Sequence, residues 1–296
     1  MGEAEVRSGF AALIGRPNVG KSTLLNRLVG EKVAIVSDKP QTTRHRIQAV
    51  LTRPDAQVVF IDTPGLHKPR HRLGEYMIQA ARGTLSEVDV VLFVVDGAAG
   101  VAGGDRRIAE ELSGIDTPVL LVINKMDLVK DPEAAAKRFA SLGGFAGAVP
   151  VSALTGEGSE SLVDEIVRRL PPGPKYFPED WVTDRPEEFL VAELIREQVF
   201  HHTEQEVPHS AAVVVEEMRR RPGRELVDVR ATIVVDRESQ KGIIIGQGGH
   251  RLKRIGQLAR LEIERLLGSP INLQLWVKAK PGWRDRPGAL QELGYR

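Results

Sequence analysis

No cysteine occurs among the 296 residues, which excludes a disulfide framework, a thiolate zinc site and a thiol nucleophile. Long apolar runs are missing too: none reaches the ~18 residues that a membrane-spanning helix needs. The first residues, Met1 to Ser8, are charged and carry no apolar stretch, so a signal peptide is not expected. Val6 stands where N-myristoylation at Gly2 requires Ser or Thr. Net charge is only +1, so any affinity for nucleic acid has to come from local patches. What is present is ordinary for a globular chain, 42% hydrophobic and 27% charged, at a length that favours two domains over one core. The expectation is a soluble, cytoplasmic chain.

Gly15-Arg16-Pro17-Asn18-Val19-Gly20-Lys21-Ser22 matches G-x-x-x-x-G-K-[ST], a loop whose backbone N–H groups wrap the phosphates of a nucleoside triphosphate. Phe10 to Ile14 before it reads as a buried strand, and Ser22 to Val29 after it as a helix stopped by Gly30. Gly15 and Gly20 permit the bend, Val19 and Thr23 belong to the same wrap, Lys21 reaches the terminal phosphates, and Ser22 is a candidate Mg²⁺ ligand. Residues 37–44 (SDKPQTTR) read as a polar loop in which a Thr hydroxyl ligates Mg²⁺ only while the triphosphate is bound. Thr43 is the favoured ligand and Thr42 the alternative.

Val58 to Ile61 is a short buried-type strand ending in Asp62-Thr63-Pro64-Gly65. An acid at that strand end suits Mg²⁺, and Gly65 can bring its N–H close to a γ-phosphate. Two further continuous apolar runs, 89–96 and 118–123, separated by helix-length segments, imply a parallel sheet covered on both faces. The second ends in Asn124-Lys125-Met126-Asp127. Asp127 can accept from N1–H and the exocyclic amine of guanine, donors that adenine lacks at those positions; Lys125 would lie along the base and Asn124 would brace the loop. In Ser152-Ala153-Leu154 the Ala153 amide could donate to guanine O6. A helix with one buried face follows over 159–170.

GRPNVGKS, QTTR, DTPG, NKMD and SAL, in that order, resemble a Ras-like GTPase domain over residues ~8–170. The resemblance implies GTP or GDP with Mg²⁺ held by Ser22, Thr43 and Asp62, and catalysis involving Lys21, Thr43, Gly65 and Asn18. One position departs: where the familiar enzymes carry a water-orienting Gln after the DxxG glycine, this chain has Leu66. Asn18 is open to two readings, a simple loop hydrogen bond or the residue that helps hold K⁺ in cation-assisted relatives.

Residues 171–178 (PPGPKYFP) mark a boundary, stiff and extended by their proline content. The expected division is a GTPase domain at 1–172, a linker at 173–184 and a second domain with its tail at 185–296. In the last part, 186–200 reads as a helix with Asp184 as a plausible cap. Residues 211–215 and 226–235 read as strands, 251–255 as a basic helix followed by another, and 271–277 as a closing strand. Gly246-Gln247-Gly248-Gly249 fits G-x-x-G, a bend that can press against a sugar–phosphate backbone, anchored by Ile243 to Ile245. Six basic residues against one acid lie between Arg237 and Arg260. The RNA-contact candidates are Lys241, Gly242, Ile244, Gly246, Gln247, Gly248, Gly249, Arg251, Lys253 and Arg254. His201 and His202 read as helix-end residues, and Trp181 and Trp276 as packing residues, with Trp283 undecided.

This part resembles a type II KH domain over residues ~182–285. The two halves together resemble the Era family of GTPases: an α/β Ras-like domain of mostly parallel sheet, followed by a smaller α+β KH domain. The resemblance implies binding to the 3′ region of 16S ribosomal RNA, a role in assembling the small ribosomal subunit, slow GTP turnover and a monomer, with peripheral contact to the inner membrane also linked to the family. Two alternatives are an RNA-binding protein whose nucleotide site is mainly structural and a membrane-surface GTPase. A double G-domain architecture is excluded, since the chain has one G-x-x-x-x-G-K-[ST].

Overall fold

Phe10 to Ile14 complete strand β1 (Arg7–Ile14), whose last four residues are buried. The computed structural model describes residues 6–65, 71–83 and 87–295, side chains at 78–83 excepted. Leu66 lies outside the described residues. Contacts divide the chain into two units, Met1–Ala34 with Pro40–Lys68 and Met77–Asp184, and Ile35–Lys39 with Pro69–Tyr76 and Arg185–Arg296.

In the first unit, α1 (Lys21–Val29) begins after Gly20 and stops at Gly30, whose N–H bonds the Asn26 carbonyl at 2.9 Å. Then come β2 (Ile47–Thr52), β3 (Ala56–Asp62), α2 (Arg72–Gly83), of which only the part from Met77 onward falls in this unit, β4 (Val90–Asp96), α3 (Gly103–Leu112), β5 (Val119–Asn124), α4 (Pro132–Ala140), β6 (Gly147–Pro150) and α5 (Ser159–Val167). The strands lie in the order β2-β3-β1-β4-β5-β6, all parallel except β2. Runs buried on both sides, such as all of β3 and β5, are what a sheet with helices on both faces requires. The edge strand β2 has no such run, so its hairpin with β3 is not apparent from periodicity. Phe93, Ile108, Leu121 and Phe139 pack in the core on one side of the sheet.

Register brings the motif residues to one end. Leu13 pairs with Asp62, Asp96 with Asn124, and Ile123 with Pro150, so five loops, after β1, β3, β4, β5 and β6, leave from the carboxyl ends of parallel strands. That is where ligands bind in sheets of this type.

Residues 171–184 run along the first unit as a strap. Gly173 N–H bonds the Val6 carbonyl at 2.9 Å, Val50 N–H bonds the Val182 carbonyl at 2.8 Å, and the Gln57 side chain accepts from Tyr176 and Phe177 N–H. Asp184 does not cap the helix that follows; its carboxylate accepts from Gln48 N–H at 3.1 Å, and Pro186 stands at the N-cap. Trp181 stacks on Phe177 at 4.4 Å.

The second unit comprises α6 (Glu187–His202), α7 (Val207–Ser210), β7 (Ala212–Arg220), β8 (Val227–Val235), α8 (Glu238–Ile245), α9 (His250–Leu267), β9 (Ile271–Ala279) and α10 (Pro287–Glu292). Strand β8 is central, antiparallel to β7 and parallel to β9. The two helices expected after the glycine loop are one. Ile255, Ala259, Ile263 and Leu267 recur every fourth residue along α9, and all are buried. Gly256 lies within this continuous helix, its Cα facing Leu275 on β9, where an added Cβ would stand at 3.4 Å. Ile243 to Ile245 form the last turn of α8, and Ile244 is completely buried in the core with Val229, Ile233 and Ile255. Ile244 therefore cannot contact RNA. The tryptophans also divide differently: Trp276 is exposed, while Trp283 is fully buried, donating to the Ser210 carbonyl and stacking on Tyr295.

Ile35 to Lys39 belong to the second unit by contact. Val36 N–H bonds Glu197 Oε1 at 2.8 Å, and the Lys39 ammonium donates to the carbonyls of Phe200 and Thr203, the last turn of α6. A cation at a helix C-terminus is favourably placed against the dipole.

Candidate nucleotide site and RNA-facing loop

The glycine-rich loop is shaped by contacts that leave no room for side chains. Gly20 has φ 95°, and a Cβ there would come 2.3 Å from Asn124 Nδ2. Gly15 links β1 to the loop. Asn18 adopts φ 66°, a left-handed conformation that asparagine tolerates better than most residues. Arg16 is fixed by Asp105 of α3 at 2.7 Å, an ion pair whose acid is fully buried.

Lys21 folds back inside this loop, donating to the carbonyls of Gly15 at 3.1 Å and Arg16 at 3.0 Å. Burial lowers its pKa to about 8, against the opposing pull of Asp62. Asp62, at the end of β3, is pushed up by burial, with Lys21 and the hydroxyls of Ser22 and Thr43 opposing. Each group therefore lacks a full countercharge. A phosphate beside Lys21 and a cation beside Asp62 would restore both ordinary charge states.

The three expected Mg²⁺ ligands converge. Ser22 Oγ lies 2.8 Å from Asp62 Oδ2 and 2.8 Å from Thr43 Oγ1, and Thr43 Oγ1 lies 3.2 Å from Asp62 Oδ2. Asp62 Oδ1 is buried with no hydrogen-bond partner. Hard oxygen donors with one orphaned carboxylate oxygen fit Mg²⁺. Thr63 Oγ1 donates to the Leu13 carbonyl and pins the next loop to β1. Gly65 then passes so close to the phosphate loop that a Cβ would stand 2.8 Å from Pro17 N.

A second cluster lies at the ends of β5 and β6. Asn124 spans two loops: its Nδ2 donates to the Val19 carbonyl at 2.9 Å, and its Oδ1 accepts from Ala153 N–H at 3.0 Å. The Ala153 amide, expected to donate to guanine O6, is thus hydrogen-bonded to Asn124 in the ligand-free structure. Lys125 Nζ donates to the Asn18 carbonyl and to Asp96 Oδ2, at 2.8 and 2.6 Å. Asp127 Oδ1 accepts from Ser152 Oγ at 2.6 Å. Gly20, Thr23, Asn124, Lys125, Asp127, Leu128, Ala153 and Leu154 enclose about 190 Å³. Leu128 and Leu154, 64% and 70% exposed, give this cavity apolar walls suited to a planar base.

Some residues that shape the site are not evident from the motifs. Asp96 ends an apolar run as Asp62 does, a readable pattern. Asn26, which accepts from Val33 and Ala34 N–H at 3.0 and 2.9 Å, and Arg27, which reaches the Ala153 and Leu154 carbonyls, carry no such pattern.

In the second unit, Gly246 (φ 71°), Gly248 (φ 57°) and Gly249 (φ 78°) turn the chain between α8 and α9. Gly242, Gln247, Gly248, Arg251, Lys253 and Arg254 are exposed, and Lys241 is half-buried. Between α9 and β9 a groove of about 500 Å³ is lined by Leu252, Lys253, Arg260, Leu273 and Leu275. An apolar floor with basic rims and a glycine turn at one end suits unstacked bases and their phosphates. Three basic residues nearer the end are ion-paired, Lys278 with Glu216, Lys280 with Glu292 and Arg284 with Asp236.

Residues 10–125 match the family model for 50S ribosome-binding GTPases, and residues 206–284 match the KH domain model. The chain is 52% identical to GTPase Era of Alkaliphilus oremlandii over 291 residues, 98% of this chain and 99% of that one. It is 51% identical to GTPase Era of Clostridioides difficile over 292 residues, 98% of each. The crystal structure of Era in complex with MgGDPNP and nucleotides 1506–1542 of 16S ribosomal RNA superposes with a TM-score of 0.94 at 41% identity, covering 98% of this chain and 99% of that one. An Aquifex aeolicus Era variant bound to GDP·AlF4⁻ gives 0.94 at 40% identity, with the same coverage. With both domain types matched in order and full-length likeness at this level, the chain belongs to the Era family of GTPases.

Proposed function

We propose that this chain hydrolyses GTP as a switch, binds the 3′ region of 16S ribosomal RNA through its second unit, and acts in assembly of the small ribosomal subunit. The observation that carries the catalytic reading is the meeting of Ser22, Thr43 and Asp62 around one orphaned carboxylate oxygen beside Lys21. Residues 1–172 serve as the GTPase domain, 185–296 as the RNA-binding domain, and 173–184 as the strap between them in the chain.

In this reading Asp127 selects guanine, Asn124 holds the base loop to the phosphate loop, and Lys21 neutralises the terminal phosphates. Ser22, Thr43 and Asp62 would hold Mg²⁺, which supplies charge neutralisation on the phosphate oxygens. The Gly65 N–H serves the γ-phosphate. Hydrolysis breaks the bond between the γ-phosphorus and its bridging oxygen as water adds to that phosphorus. Leucine at 66 has no polar atom to orient that water, so slow turnover and help from outside the motif follow. Asn18 is the candidate for holding K⁺, a role that GTP turnover in K⁺ against Na⁺ measures directly.

The RNA reading rests on the glycine turn, the exposed Arg251, Lys253 and Arg254, and the adjoining groove. The solved Era complex contains a 16S segment, which favours the small subunit as the site of action. Coupling has a route in the chain itself. Lys39, bonded to the end of α6, lies four residues before Thr43 at the Mg²⁺ site. GTP-dependent ordering at Thr43 thus bears on a segment that packs with the RNA-binding unit.

Crosslinking of bound RNA followed by sequencing, in the GTP-analogue state, tests this function. Enrichment of the 16S 3′ region is expected. Its absence from the pool removes the assembly reading, and RNA affinity identical with GTP analogue, GDP and no nucleotide removes the switch. No turnover in K⁺ or Na⁺, with and without RNA, points to a site that only binds. Among the described residues no helix is long and apolar enough to cross a membrane. Peripheral binding of the basic patches to anionic lipid is a second reading, decided by liposome flotation.

A further inference from the structure

The turn from Ser152 to Gly156 is held from several sides. Ser152 Oγ donates to Asp127 Oδ1 and accepts from Thr155 N–H at 3.2 Å. Ser152 N–H bonds the Glu157 carbonyl at 2.9 Å, Gly156 N–H bonds the Ser152 carbonyl at 2.8 Å, and Ala153 N–H bonds Asn124 Oδ1. That leaves the Leu154 N–H, which has no acceptor among the described residues.

Arg27, on the exposed side of α1, holds the same turn by its carbonyls. Its Nε donates to Ala153 O at 3.2 Å and its Nη2 to Leu154 O at 2.6 Å. A peptide group is planar and trans, so the Ala153 carbonyl and the Leu154 N–H of one peptide point in opposite directions. With the carbonyl drawn to Arg27, the Leu154 N–H is turned away from that guanidinium. Ala153 and Leu154 are both walls of the cavity that holds Asn124 and Asp127.

We infer that Arg27 is a positioning residue for base discrimination, aiming the Leu154 N–H into this cavity as the donor to O6 of guanine. The inference rests on the guanine-nucleotide reading of the site. Adenine presents an amine at that position, so a fixed N–H donor meets another donor and rejects it; a donor free to turn away would not. The two donors of one guanidinium fork suit two successive carbonyls, where a lysine can reach one at a time.

The test uses the full chain, wild type, Arg27→Ala and Arg27→Lys, with GDP and 6-thio-GDP as probes. The thio analogue keeps the N1–H and 2-amino donors read by Asp127 and replaces O6 by a poor acceptor. The wild type is expected to prefer GDP. Arg27→Ala should reduce that preference about fivefold by losing GDP affinity, and raise KM for GTP with kcat unchanged. Arg27→Lys should fall between. Thermal melts of the ligand-free proteins should agree, since Arg27 is exposed. Equal loss of both nucleotides in Arg27→Ala, an unaltered preference, or a wild type that binds the two alike overturns the inference. A wild type that binds neither overturns the nucleotide reading itself, and the inference with it.

Discussion

Ser22 Oγ and Thr43 Oγ1 stand 2.8 Å apart although 21 residues separate them, one opening α1 and the other on an irregular loop. Both oxygens also face Asp62 Oδ2. Thr43→Val keeps the shape and removes the oxygen. It should raise the Mg²⁺ concentration needed for half-maximal GTP turnover by roughly tenfold or more. Thr42→Val should leave that requirement unchanged, so a Mg²⁺ titration of the two variants decides which threonine serves the metal.

Asp127 accepts from Ser152 and forms one wall of the base cavity. In Asp127→Asn the side chain can no longer accept two hydrogen bonds from a guanine edge. GDP affinity should fall between roughly tenfold and a hundredfold. Xanthine has a carbonyl where guanine has its amine, so XDP should gain, and competition binding with the two nucleotides measures the exchange.

Lys21 titrates at about 8 in the ligand-free protein, below its ordinary 10.5, because burial disfavours its charge. Phosphates bind the charged form. Below pH 8 the proton is already present; above it, binding must take one up. GDP affinity should therefore fall by up to about tenfold per pH unit above pH 8. Calorimetry in buffers of different ionisation enthalpy should show proton uptake at pH 9 and little at pH 7. The stability of the ligand-free chain should move the other way. Its folded pKa lies below the unfolded one, so the unfolded chain binds more protons between pH 8 and 10.5 and this lysine's contribution rises with pH there.

Lys253 and Arg254 are exposed at the start of α9. Replacing both by alanine should lower the salt dependence of RNA binding by about 1.4 in slope, two contacts at ~0.7 each on a single strand. GTP turnover without RNA should not change. Filter binding at a series of salt concentrations reads the slope.

Ile244 should behave differently from these neighbours, being wholly buried in the core of the second unit. Ile244→Ala is expected to cost about 2–5 kcal/mol of that unit's stability. Denaturant unfolding with salt-independent loss of RNA binding would mark it as a packing residue.

Much of the first unit's architecture was legible because the buried parts of β1, β3 and β5 are continuous apolar runs leading into a motif. Val58 to Ile61 leads to Asp62, and Val119 to Ile123 leads to Asn124. Strand β2 was not, because an edge strand needs no such run. Nor was the unity of α9, which shows in the one buried face of Ile255, Ala259, Ile263 and Leu267 running unbroken past Gly256. Asp184 looked like a helix cap by its place before Pro186, but a side chain takes the nearest unsatisfied donor, and that is Gln48 N–H.

By itself the sequence determined the ligand class and the kinds of domain, because phosphate wrapping, guanine selection and tight backbone turns each demand particular residue types at short spacing. Only the tertiary structure decided which atoms meet across long separations. It put Thr43 on Asp62, turned the Ala153 amide to Asn124, buried Ile244 and brought Arg27 to a turn 126 residues away. These outcomes depend on strand register and helix packing, which bring distant backbone donors and acceptors together and are not encoded in local spacing.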